Sequence, residues 1–323
     1  MTNPSNRARI LVATFLVVGV LLEYACGRKP GPTQVLHEAV METEADSSLG
    51  YLEPDWHPGG EILAVTGVQD CGFGRCPHDI YSIDLADMEV QRMFEPDLRA
   101  SPHWAPDGQS VSFQMSSDDD SGVFVSAIDT YSPVFLVEGQ PSGWSPDGDS
   151  MAIYSERFLG MESVKPILEI ALFSIGNREK DILYQSPASA GVFLQGVDWS
   201  PTGESLAFAV RLFTEDGATE HFLYTLRADG TGLQRHAEVL TDVREPGWMK
   251  SGDWLFVVHG EVSQLAFLNV ESECVFETEV TGIHAPDLSP DGKAIAFENL
   301  GRIYILNLEE LLGARLESLE CPK

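Results

Sequence analysis

The apolar residues of this chain come in short runs, each set off by turn-forming residues. After a Pro- and Gly-rich turn comes Ile62-Leu63-Ala64-Val65. The same layout returns at Val111-Ser112-Phe113, Met151-Ala152-Ile153-Tyr154, Leu206-Ala207-Phe208-Ala209-Val210, Leu255-Phe256-Val257-Val258 and Ile295-Ala296-Phe297. Runs this short, rich in β-branched and aromatic side chains and bounded by Gly and Pro, predict strands rather than helices. A further strand follows each one: Ile80–Ile83, Val123–Val125, Ile170–Phe173, Phe222–Tyr224, Leu265–Leu268 and Ile303–Leu306. A more polar strand, such as Val134-Phe135-Leu136-Val137, closes the unit.

The turns repeat as well. Trp56, Trp104, Trp144, Trp199 and Trp248, with Leu288 in the sixth copy, each precede a turn of the type Ser-Pro-Asp-Gly, and they stand 48, 40, 55, 49 and 40 residues apart. That period is the length of four short strands with their turns. In the turn, Pro presets φ, Asp bonds its own backbone and Gly takes the left-handed conformation. The expectation is an all-β chain forming a six-bladed β-propeller of four-stranded antiparallel blades, with the tryptophans packed between blades. Two segments are candidates for the last outer strand that closes the ring: residues 34–37 and residues 314–317, with the first preferred.

The Trp-Ser-Pro-Asp-Gly turns, followed by Leu-Ala-Phe-type and Ile-Tyr-type strands, resemble the TolB-like propeller family over roughly residues 50–320. The resemblance implies the fold, not a function, since propellers host many roles. TolB proteins carry a further domain ahead of the propeller, where only a spacer is expected here. Related propellers precede serine-peptidase domains, and none is expected after this one.

Charge narrows the partners. Asp and Glu number 50 against 20 Lys and Arg, a formal net charge of −30. Such a surface offers no basic field for phosphates, which excludes nucleic acid. It suits a solubilising coat, or a cationic partner.

Catalytic motifs are missing: no Gly-x-Ser-x-Gly elbow, His-Glu-x-x-His zinc site or phosphate-binding glycine loop occurs. No catalytic residue and no cofactor is therefore assigned. One constellation has the residue types of a metal site. Asp55, His103, Asp198 and Asp287 all stand just before the repeat's aromatic position. They could converge on the channel and hold a hard cation such as Ca²⁺, or each could bond backbone within its own blade. The local reading is the expectation. Asp118-Asp119-Asp120 lacks the spacing of a calcium loop and reads as a solvated turn.

Loops between the second and third strands of each blade emerge on one face. They are expected to be long in blades one to four, over Thr66–His78, Ser116–Gly122, Glu156–Ile167 and Leu212–Glu220, and short in blades five and six. Asp118, Asp119, Asp120 and Asp216 sit there among Phe73, Phe158, Met161 and Phe213. Acids around apolar anchors suit a basic protein partner. The expected protein is a monomeric, non-enzymatic envelope scaffold that binds another protein or a polysaccharide. The alternative is a hydrolase or lyase acting in the central channel.

The N-terminus predicts export. Arg7 and Arg9 precede an apolar run of 13 residues, Ile10–Leu22, too short to span a bilayer and right for a signal-peptide core. Glu23-Tyr24-Ala25-Cys26-Gly27 follows, and the layout resembles a bacterial lipoprotein signal, in which the cysteine becomes lipidated. Ala25 is the small residue such signals want, whereas Glu23 stands where an aliphatic is usual. The expected organisation is a signal peptide over 1–25, a lipid-anchored spacer over 26–48 and the propeller over 49–323, tethered to the membrane facing periplasm or cell surface. The four other cysteines fit an oxidising compartment, and the pairs Cys71–Cys76 and Cys274–Cys321 are expected. Replacing Cys26 by Ala should release the protein from membranes and abolish incorporation of a fatty-acid probe. Undiminished labelling of the variant would remove the anchor.

Overall fold

A computed structural model describes residues 49–69, 78–94, 99–116, 121–130, 132–158, 166–187, 191–214, 218–236 and 240–313. These form six antiparallel sheets in sequence order, each a meander of neighbouring strands. Blade one holds β1 (Leu49–Trp56), β2 (Ile62–Gln69), β3 (His78–Asp84) and β4 (Val90–Arg92), and blade two β5 (Arg99–Trp104), β6 (Ser110–Ser116), β7 (Ser121–Ala127) and β8 (Val134–Val137). Blade three holds β9 (Gln140–Trp144), β10 (Ser150–Phe158), β11 (Pro166–Ser174) and β12 (Lys180–Gln185), and blade four β13 (Gly191–Trp199), β14 (Ser205–Phe213), β15 (Thr219–Arg227) and β16 (Gln234–His236). Blade five holds β17 (Arg244–Trp248), β18 (Trp254–His259), β19 (Gln264–Asn269) and β20 (Val275–Glu277). Blade six shows β21 (His284–Leu288), β22 (Ala294–Asn299) and β23 (Arg302–Asn307). Both segments proposed for its fourth strand lie outside the described residues.

The core lies between blades rather than within them. Every cluster of buried apolar side chains joins two neighbours: Ala64 and Ile80 of blade one meet Trp104 and Phe113 of blade two, and Ala207 and Ala209 of blade four meet Trp248 and Val257 of blade five. The ring closes the same way, with Tyr51, Trp56 and Val65 of blade one against Ala296 and Ile303 of blade six. Small residues face the large rings, as close packing of splayed sheets requires. The tryptophans expected between blades are there. Trp56, Trp104, Trp199 and Trp248 are buried and Trp144 is half-buried.

The repeated turns behave as their composition dictates. Gly60, Gly108, Gly148, Gly203, Gly252 and Gly292 all have positive φ, between 66° and 79°. Asp107, Asp147 and Asp291 each accept the N–H two residues on. A short helix not read from the sequence, α1 (Leu308–Leu312), follows β23; Leu308 and Leu312 plug the seam between blades five and six. Asn307 caps it, its side chain accepting the Glu310 N–H at 3.1 Å.

One contact tests this packing cleanly. A Cβ added at Gly247 would stand 1.9 Å from the ring of Phe256, which is buried. Gly247→Ala should destabilise the fold by about 1–3 kcal/mol through overpacking. It should appear as a lower urea midpoint at unchanged slope; an unchanged midpoint would mean that the ring moves freely.

Candidate functional site

The innermost strands β1, β5, β9, β13, β17 and β21 surround a central channel with a cavity of about 730 Å³. Five of the six carry the same irregularity. The residue three places before the aromatic position has positive φ: Glu53 at 52°, Ser101 at 53°, Gly196 at 114°, Glu245 at 50° and Ala285 at 44°. The strand pairing slips there in each case. Four of these residues precede proline, namely Pro54, Pro102, Pro246 and Pro286. Proline tolerates a bulge because it has no N–H to lose. A non-glycine residue in the left-handed region costs about 1–3 kcal/mol, so the surroundings must hold it there.

Carboxylates do so, across the blade boundaries. Asp55 accepts the Trp104 N–H at 2.8 Å, Asp198 the Trp248 N–H at 2.7 Å, and Asp287 the Trp56 N–H at 2.7 Å. A second tier sits at the bulge. Glu53 accepts the Ser101 N–H at 3.0 Å, and Glu245 accepts the N–H of Ala285. Glu156 of β10 accepts the Leu194 N–H at 3.2 Å. The expected local bonding is corrected in part: Asp55 bonds the next blade, whereas Asp198 bonds both its own Trp199 N–H and that of Trp248, and Asp287 both its own Leu288 N–H and that of Trp56. The reason is geometric, since the free edge of an innermost strand points toward its neighbour and the channel.

Burial sets the electrostatics. It pushes the Asp198 carboxyl up to about 6, against the N–H bonds from Trp248 and Trp199. It raises Glu245 to about 7, against the Ala285 N–H and Arg244. Asp287 lies well above the carboxylate range through burial and the nearby Asp55. Burial opposes the His103 imidazolium, yet the hydrogen bond that Asp55 accepts from Nδ1, at 3.1 Å, and the charges of Asp55, Glu53 and Asp198 raise it overall. Tyr154, bonded to Gln140 at 2.7 Å, is pushed up to about 12 by burial and by Glu156 and Glu53. Asp55, His103, Asp198 and Asp287 therefore share one channel. Yet no group of three or more His, Cys, Asp or Glu able to hold a metal ion is found among the described residues.

The loop face differs from its expected form. In blades three and four the hairpins are longer and the turns shorter than expected, because β10, β11, β14 and β15 run to nine residues each. Glu156, Leu212, Phe213 and Glu220 lie on strands, where regular pairing carries the apolar alternation further than the short runs suggested. Phe158 ends β10, opposite Pro166. Phe213 is 37% exposed; its ring meets Phe193 edge-on at 5.5 Å, with Arg211 over both. Val262 and Leu300, on the short turns of blades five and six, are exposed to 60% and 93%. Their turns are short and carry no length signal in the sequence. Phe73, Asp118, Asp119, Asp120, Met161 and Asp216 lie outside the described residues, as do Cys26, Cys71, Cys76 and Cys321. Cys274 packs against the seam between blades five and six.

No protein-family model and no curated protein matches the chain. Solved structures do. A TolB protein from Agrobacterium tumefaciens superposes with a TM-score of 0.58 at 18% identity, over 80% of this chain and 90% of that one. TolB from Acinetobacter baumannii gives 0.55 at 16% identity, over 81% of this chain and 61% of that one. The fold is that of a TolB-type propeller. A gluconolactonase from Xanthomonas campestris is also similar, with a TM-score of 0.54 at 11% identity over 81% of this chain and 87% of that one. Likeness to a TolB-type propeller therefore carries architecture and leaves the chemistry to the residues. No helix among the described residues is long and apolar enough to cross a membrane.

Glu245 makes this propeller's stability depend on pH. Glu245 titrates near 7 in the folded chain and near 4 when unfolded. Its contribution is full below about pH 4 and is lost as pH rises through 7. Glu245→Gln keeps an acceptor for the Ala285 N–H but does not titrate. From pH 5 to pH 8 the parent should lose on the order of 2 kcal/mol relative to the variant. Other groups, such as His236 and His259, which burial holds below the usual histidine value, act in both proteins alike. Parallel stability curves would show that Glu245 is ordinary.

Proposed function

We propose that this chain is an exported, lipid-anchored propeller of the cell envelope that acts without catalysis, presenting its loop face to a basic protein or a polysaccharide. The observation that carries this reading is the use made of the channel's acids. Asp55, Asp198, Asp287, Glu53 and Glu245 each hold a backbone N–H of an innermost strand in the next blade. Groups committed to the frame are poorly placed to act on a substrate. The loop face, in contrast, exposes Phe213, Val262 and Leu300. β1 enters the ring from that same face, since Leu49 pairs with Gln69 at the foot of the first loop. A tether at Cys26 would join the propeller there.

A second reading has one observation in its favour. His103 is oriented by Asp55 inside the channel, as a general base would be. It requires turnover of an ester, lactone or glycoside by the purified protein.

The two readings separate in one set of variants. If the loop face binds, Phe213→Ala combined with Leu300→Ala should weaken capture of an envelope partner by about thirty-fold, chiefly through faster dissociation. Replacing Asp118, Asp119 and Asp120 by Asn should instead slow association and flatten its salt dependence. Melting of the Phe213→Ala, Leu300→Ala variant should barely change, because both side chains are exposed. Equal capture by all three proteins would place the working surface elsewhere.

A further inference from the structure

Five of the ten described non-glycine residues with positive φ gather at the loop-face end of blades five and six. They are Asp242, Glu245, Ser263, Ala285 and Leu300, with φ between 44° and 54°. Backbone strain of this kind persists only where the surroundings hold it. One side chain does most of the holding. Arg244, at the start of β17, donates to the Asp242 carbonyl at 3.0 Å and carboxylate at 2.7 Å, to the Gly260 carbonyl at 3.2 Å and to the Ser263 hydroxyl at 2.8 Å. It thereby fixes the turn between β18 and β19, whose exposed tip is Val262. The same turn is tied to blade six, since the Gly282 N–H donates to the Val262 carbonyl at 2.9 Å and the Ile283 N–H to the Ser263 carbonyl at 3.1 Å.

The next residue reaches the other way. Glu245 accepts the Ala285 N–H of blade six, and its Oε2 is buried without a hydrogen-bond partner among the described residues. Its bulge breaks the alternation of the strand, so Arg244 and Glu245 both line the central channel. A carboxylate buried with an empty acceptor is costly, and a guanidinium is the donor that suits it best. Arg244 has its donors spent on the turn, yet its charge already works against burial at Glu245.

The other charged groups around the pair leave this competition in place. Glu298 of β22 repels an ionised Glu245. His221 of β15, 3.0 Å from Asp242 and near Arg211 of β14, and His259 of β18 are held below the usual histidine value by burial, which keeps both neutral at pH 7. His284 of β21 stands 3.5 Å from the Ser263 hydroxyl. Asp198 of β13 and Asp287 of β21 are occupied by tryptophan N–H groups at other seams.

We propose that Arg244 is a two-position brace between the loop face and the channel: it holds the Val262 turn while Glu245 is neutral, and swings to the Glu245 carboxylate, releasing the turn, when Glu245 ionises. Glu245 titrates near 7, above its unfolded value, so the held state belongs to the acid side and is lost as pH rises through 7. Binding at the loop face then tightens as pH falls. That regulatory use rests on the loop face being the binding surface, whereas the brace itself does not.

Hydrogen exchange of the full mature chain reads the brace without any partner. The amides of Gly260, Ser263, Gly282 and Ile283 report the turn. Corrected for the intrinsic pH dependence of exchange, their protection should fall about thirtyfold from pH 5.5 to pH 8. The fall should be insensitive to low urea, because a local opening exposes little surface. Glu245→Gln should keep the turn protected at both pH values, and Arg244→Gln, which has no charge to move, should leave it poorly protected at both. Protection independent of pH in the parent, an equal fall in Glu245→Gln, or a urea dependence matching that of the β6 amides would overturn the brace. Capture of an envelope partner at pH 6 and pH 8 is the separate arm. No capture at either pH with the exchange pattern intact would retire the loop face as a binding surface and still support the brace.

Discussion

Each innermost strand of the ring has a hydrogen-bonded neighbour on one edge only, and its other edge faces the channel. Backbone N–H groups there cannot be left dry without a partner. In three of the six seams the partner for the aromatic residue's N–H is an aspartate from the preceding blade: Asp55, Asp198 or Asp287. Glu53 and Glu245 do the same at the bulge. Much else follows. The acid must stand directly before the aromatic residue, the bulge must turn the glutamates toward the boundary, and the blades must keep a fixed rotation so that the bonds form. Tryptophan indoles also reach back across the seams, Trp144 to His103 and Trp199 to Gly143 where no acid is present, and Trp56 to Asp287 beside the acid. Gly247 shows why the acid is missing from blade five, because Phe256 fills the space that a side chain would need.

Gathering carboxylates around one axis is costly, since each loses water and feels the others. The raised values of Asp198, Glu245 and Asp287 record that cost. Hydrogen bonds from backbone N–H groups offset part of it and leave a channel that is acidic yet partly protonated near neutrality. Perturbed titration of this kind is often read as a sign of catalysis. Here it follows from the architecture.

The period of the aromatic residues and the chemistry of the Ser-Pro-Asp-Gly turns made the six blades legible, because both are local rules repeated many times. The seams were half legible: Trp56 and Trp104 could be assigned to packing between blades, but not the acceptors of their N–H groups. Residues such as Asp287 and Trp56 are 231 positions apart, and no local pattern announces that meeting. The bulge left a trace that was open to reading, the X-Pro pairs at Glu53, Ser101, Glu245 and Ala285, each three places before the aromatic position. Helix α1 and the exposed Leu300 had no such trace.

The seam between blades six and one has a consequence in time. Its contacts join the first blade to the last: Trp56 to Asp287, and Tyr51 to the carbonyl of Gly301. Five seams can form between neighbours as the chain emerges, each with modest loop closure, but the sixth must wait for the whole length. Until then the edge of blade one and half of its apolar seam stay open, the kind of surface through which partly folded β-proteins aggregate. The interval between the arrival of Trp56 and that of Asp287 is therefore the vulnerable stage of the chain's assembly.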